Sequence, residues 1–125
     1  MRDVVLTDRG PKPIGPYSQA IRVNGFLFVS GQVALDPQTG ALLGSTVQEQ
    51  TERTLENVKG IVEAAGTKMA HVVKVSVFLK DMNDFSTMNE VYGRYFSSAP
   101  PARTTVEVAR LPKDALVEID VVAVL

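Results

Sequence analysis

The stretch STVQEQTERTLENVKGIVEAAG, Ser45 to Gly66, reads as an amphipathic helix, and the run HVVKVSVFLK, His71 to Lys80, reads as a strand. In the first, apolar residues recur at Val47, Leu55, Val58, Ile61, Val62 and Ala65, a helical period. Thr46 with Glu49 three positions on has the form of a capping box, and Gly66 suits the C-terminal cap. In the second, Val73, Val75, Val77 and Leu79 alternate with Lys74, Ser76, Phe78 and Lys80, so one face of the strand is buried. A striped helix next to a one-faced strand calls for two packed layers.

Working outward, NDFSTMNEVYGRYF, Asn83 to Phe96, returns to helical spacing through Phe85, Met88, Val91, Tyr92, Tyr95 and Phe96, with Asn83 or Asp84 as the cap. Upstream, AIRV and FLFVSGQVAL flank Asn24-Gly25, the dipeptide suited to a two-residue turn with positive φ at both positions, so a hairpin is expected. The apolar run from Phe26 to Val29 predicts a strand covered on both faces, and Pro37 to Gly40 a further turn. GPKPIGPYSQA, Gly10 to Ala20, holds three prolines and two glycines. These forbid regular structure there, leaving an ordered loop or a loop along a sheet edge. Two more strands are expected at about 103–110 and 116–125. The order is then three strands, helix, strand, helix, two strands: a single α+β domain over 1–125, with one mixed sheet carrying both helices on one face. The other face needs a cover, and a second copy of the chain is the expected one, making a homo-oligomer.

Thirteen basic against fourteen acidic residues give a net charge of −1 and no global attraction for a polyanion, so nucleic acid is not the expected partner. The absence of cysteine removes disulfides, thiolate nucleophiles and cysteine-type zinc sites, and one histidine, His71, makes no histidine-rich metal site. His71 opens a strand and is assigned no role. No apolar run is long enough for a membrane span, and the charged N-terminus lacks a signal-peptide core, so a cytoplasmic location is expected. Any catalysis rests on carboxylates, hydroxyls, amides, arginine, lysine and backbone groups.

Among these, Arg103 lies behind a double proline in PPARTTVEVARLP, Pro100 to Pro112. On a strand it shares a face with Thr105 about 7 Å away, while Glu107 is about 13 Å away, too far to be its direct partner. In LVEIDVVAVL, Leu116 to Leu125, Glu118 and Asp120 interrupt an apolar strand. If the last two strands pair as a hairpin, Arg103 and Glu118 come together on one face. Two readings then stand: an ion pair at a sheet edge or subunit contact, or a clamp for a substrate carboxylate beside a carboxylate that orients water.

PIGPYSQAI, FVSGQVALDPQTG, QTERTLENVKGIVEAAG, VKVSVFLKDMNDFSTMNEVYGRYF and PPARTTVEVARLPKDALVEID resemble, in order, the signature blocks of the RidA (YjgF) family of imine deaminases. The resemblance covers nearly the whole chain. It implies a chorismate-mutase-like fold, a homotrimer with active-site clefts between subunits, and hydrolysis of 2-aminoacrylate-type enamines and imines to 2-keto acids and ammonia without a cofactor. It implies that Arg103 grips the substrate carboxylate and Glu118 serves the attacking water. Tyr17, Ser30, Gly31 and Asn89 match pocket residues. Thr105 stands where many bacterial members carry cysteine, which puts substrate preference or oxidation sensitivity in doubt rather than the reaction. Two other readings remain: a non-catalytic trimer binding small carboxylates such as 2-keto acids, and an endoribonuclease acting as a translation inhibitor. The second lacks a histidine pair and a basic stripe here.

Overall fold

The computed structural model describes residues 1–125. Its elements are β1 (Asp3–Val5), β2 (Ala20–Val23), β3 (Phe26–Gln32), α1 (Val47–Ala64), β4 (Val72–Leu79), α2 (Phe85–Tyr95), β5 (Ala102–Glu107) and β6 (Val117–Val124). The six strands form one mixed sheet in the order β1-β2-β3-β6-β4-β5. Only β4 and β5 run parallel, as expected for strands joined through a helix, which cannot turn back as a hairpin can. No helix is long and apolar enough to cross a membrane.

Local signals set the element ends. Thr46 Oγ1 accepts from the Glu49 backbone N–H while the Glu49 carboxylate accepts from the Thr46 backbone N–H, closing the capping box at the start of α1. At its end the N–H groups of Gly66 and Thr67 bond the carbonyls of Glu63 and Val62, satisfying two otherwise orphaned acceptors. Asn24 and Gly25 both have positive φ, 50° and 80°, in the β2–β3 turn. The cap of α2 differs from the expectation: Asp84 makes no side-chain cap bond, and Asp81 instead accepts from Asn83 N–H at a preceding 3-10 turn.

The core lies between the sheet and both helices. Leu27, Val75, Val77, Leu79, Val117, Ile119 and Ala123 are fully buried against Leu55, Val58, Ile61 and Val62 of α1 and Met88 of α2. Each valine, leucine, isoleucine or methionine among them taken out of water contributes about 1.5–3 kcal/mol. Val73 departs from the expected alternation. The β4–β6 register shifts between Val72 and Lys74, so Val72 takes the core position and Val73 faces out.

The opposite sheet face is open within one subunit. Phe26 and Phe28 are 42% and 47% exposed, whereas their neighbours Leu27 and Val29 are buried. The strand expected to be covered on both faces is thus covered on one by its own chain, because both helices pack on the same side.

The expected pairing of the last two strands also fails. β4 lies between them, pairing Val75 with Arg103 on one side and Phe78 with Glu118 on the other. Partners in a ladder share a face, and Val75 and Phe78 are an odd number of residues apart, so Arg103 and Glu118 emerge on opposite faces. The crossover through α2 places β5 outside β4, which excludes an Arg103–Glu118 ion pair within one chain.

Candidate functional site

The polar residues singled out by the sequence fall into two groups. The first gathers on the open face. Tyr17, Ser30, Gly31 and Glu118 line a cavity of about 370 Å³, together with Lys12, Ile14, Gln19, Gln32 and Pro112 among others. Its wall is the proline-rich loop, and what fixes that loop is Gln19, buried and bonded at both ends of its amide. Its Nε2 donates to the carbonyls of Thr7, Gly10 and Pro11 at 3.0, 3.2 and 2.9 Å, and its Oε1 accepts from Thr7 N–H at 2.7 Å. The prolines contribute no N–H donors of their own, so a side chain must supply the bonds that the backbone cannot.

Tyr17 stands 46% exposed at the loop tip. Its phenol oxygen accepts from Ile14 N–H at 3.1 Å, which leaves the phenol proton free to donate elsewhere. Ser30 is less free: its hydroxyl donates to Ser18 O at 2.6 Å and so ties β3 to the loop. The β3–β6 register shifts between Val29 and Gln32, and within that irregularity Gly31 lies against Glu118. A Cβ at position 31 would fall on the Glu118 carboxylate oxygen. Burial, with a smaller contribution from the Asp120 charge, raises the Glu118 carboxyl above its ordinary value. Asp120 is itself raised by burial, opposed by Ser76 and Lys74.

The second group sits on the helix side, at the free edge of β5. Arg103 extends over two rings of α2, its Cζ 4.6 Å from the centroid of Tyr92 and 5.5 Å from that of Phe85. It has no carboxylate partner; the two ion pairs of the chain are Arg9–Glu63 and Arg110–Asp114. Glu107, on the same face of β5, accepts instead from Met82 N–H at 2.8 Å. Thr105 shares that face, its Oγ1 buried without a partner. Asn89, half-buried, lies between Phe85 and Tyr92 on one helix face by its spacing.

One subunit therefore brings Tyr17, Ser30, Gly31 and Glu118 together, and holds Arg103, Thr105 and Asn89 elsewhere. Gln19 and the tyrosine beneath Arg103 were not singled out from the sequence. A glutamine within an irregular loop, next to an apolar strand, was the available signal for the first. No group of His, Cys, Asp and Glu converges to hold a metal ion. His71 lies outside the cavity, its Nδ1 3.0 Å from Thr67 Oγ1.

A family model described as endoribonuclease L-PSP matches residues 7–125. A RutC family protein of Pyrococcus horikoshii is 54% identical over 98% of both chains. The 2-iminobutanoate/2-iminopropanoate deaminase of Mus musculus is 46% identical over 99% of this chain and 92% of its own. The crystal structure of E. coli TdcF with bound serine superposes with a TM-score of 0.94 at 44% identity, covering 98% of each chain.

Proposed function

The chain belongs to the RidA (YjgF) family, the endoribonuclease L-PSP family of the matching model, and from that premise we propose that it hydrolyses small enamine and imine acids of the 2-aminoacrylate type to 2-keto acids and ammonia. The observation that carries this reading is the division of the polar residues into a cavity with a half-buried carboxylate and a separate, unpaired arginine. Each supplies what the other lacks. A homotrimer that sets the β5 edge of one subunit against the open sheet face of the next would bring Arg103, Asn89 and Thr105 to the Tyr17–Glu118 cavity, and would cover Phe26 and Phe28.

An imine carbon is already electrophilic, so the protein needs chiefly to position reactants and stabilise charge. Arg103 binds the substrate carboxylate through its planar fork. Glu118 accepts a hydrogen bond from water, orients it toward the imine carbon and takes its proton as the C–O bond forms. Starting from the protonated imine this gives a neutral carbinolamine; Glu118 then returns that proton to nitrogen, ammonia leaves as the C–N bond breaks, and the hydroxyl proton passes to the freed carboxylate as the C=O bond of the keto acid forms. Tyr17 donates its free phenol proton to the substrate, Gly31 leaves room for Glu118, and Thr105 and Asn89 line the arginine side. No step calls for a cofactor.

A second reading is favoured by the serine bound to the E. coli relative: a module that holds small carboxylates without turning them over. An RNA-cleaving role has less support, since the cavity lining contains no histidine.

The experiment mixes two inactive variants. Purified Arg103→Ala and Glu118→Gln are each expected to leave the decay of 2-aminoacrylate, generated in situ, unaccelerated. Co-refolded one to one, they should regain about a quarter of wild-type activity, because random assembly gives that share of clefts an intact arginine and an intact glutamate. No recovery from correctly assembled mixtures would overturn the shared cleft. A wild type without activity that still binds 2-keto acids would favour the binding module.

A further inference from the structure

We infer that Phe85 and Tyr92 of α2 act as positioning residues, an aromatic clamp that presents Arg103 to an incoming carboxylate with no acid competing for its donors. The inference rests on the reading of Arg103 as the carboxylate site, and adds the residues that make it one.

An arginine on an edge strand has four rotatable side-chain bonds and would ordinarily be disordered or captured by a nearby acid. Arg103 is neither. Its guanidinium lies over the Tyr92 ring at 4.6 Å and the Phe85 ring at 5.5 Å, within the range of a cation–π attraction. The five N–H donors lie in the plane of the guanidinium. Rings hold the group without the paired, in-plane bonds to a carboxylate that an acidic partner would take up. The acid on the same strand face, Glu107, is occupied by the Met82 N–H.

The two rings play different parts. Tyr92 is only 6% exposed, packed against Phe96 and anchored in the core, so it sets the position. Phe85, at the first turn of α2, is 38% exposed. An exposed aromatic ring that meets the arginine needs a reason other than core packing. Burial raises the Tyr92 phenol above its ordinary value, opposed by the charge of Arg103 and by hydrogen bonding from it.

Two measurements on the full-length assembled protein test the clamp: calorimetric binding of 2-oxobutanoate, and the 15N-detected Arg103 Nε–H resonance without ligand. Wild type should show a sharp, ring-shifted Nε–H. Tyr92→Phe should keep both signals. Tyr92→Leu and Phe85→Leu should broaden and unshift the resonance and weaken binding by roughly fivefold to tenfold. Phe85→Leu, at an exposed position, serves if Tyr92→Leu does not fold. In an Arg103→Ala background, Phe85→Leu should weaken binding no further. An unchanged resonance in both leucine variants overturns the clamp, as does an equal loss of binding with and without Arg103. If Arg103→Ala itself leaves binding intact, the carboxylate role falls, and the resonance alone then decides whether the rings hold the arginine.

Discussion

The two faces of the sheet handle charge in opposite ways. On the open face Glu118 is a carboxylate pushed toward neutrality by burial and by Asp120, with Gly31 pressed against it. At the β5 edge Arg103 is a full cation, held between rings that compensate its charge only weakly. Folding alone would have been served by letting these groups pair. Their separation by one strand and by the thickness of the sheet leaves each without a counter-charge in the single subunit.

If that contrast is functional, the largest effect should come from the cation. Arg103→Ala should lower kcat/KM at least roughly 100-fold and weaken 2-keto acid binding strongly, since charge-assisted bonds to a carboxylate are lost; binding left at wild-type strength would dissolve the contrast. Gly31→Ala comes next. The added methyl must displace the Glu118 carboxylate, and a displacement near 1 Å can cost roughly 10- to 100-fold in kcat. Steady-state kinetics should show the loss in kcat with KM little altered.

A smaller effect sharpens the carboxylate side. If Glu118 serves as the base it works ionised, and activity should fall as pH drops through its raised value, above the ordinary 4.5. Asp120→Asn removes the neighbouring negative charge, lowers the Glu118 value and should move the acid limb of the kcat/KM profile to lower pH. A limb that stays in place would detach it from Glu118.

The smallest expected effect is on stability. Because the folded protein raises the Glu118 carboxyl, its neutral form favours folding. That contribution is fully present below the unfolded value and is lost as pH rises through the folded one. At neutral pH the ionised, half-buried group therefore weighs against the fold, and Glu118→Gln should raise the thermal midpoint by about a few degrees. An unchanged or lower midpoint at pH 7 would mean that Glu118 has found compensation in the assembly.

Much of this was legible in the residues. The helix from Val47, the hairpin at Asn24-Gly25 and the order of all eight elements follow from period, caps and turns, which are local. The partner of β6 was not, because choosing between β5 and β4 depends on where the α2 crossover lands, a tertiary matter that alternation within one strand does not encode. The slip that exposes Val73 is of the same kind: a register shift leaves no mark on a run of valines. The blocks that carry the candidate residues named them as a set, but their division between faces left no mark in the sequence. Tyr92 was hidden for a further reason. Its apolar stripe position accounts for it completely as a core residue, and only the arginine above it indicates a second use.

Gln19 has a consequence of another sort. A change of one terminal group, amide nitrogen to oxygen as in Gln19→Glu, preserves the shape of the side chain almost atom for atom. It would nevertheless aim a carboxylate at the carbonyls of Thr7, Gly10 and Pro11, where three attractions now hold the loop. The wall that carries Tyr17 thus depends on the polarity of one terminal group, and slow chemical ageing of a single amide would turn those attractions into repulsions.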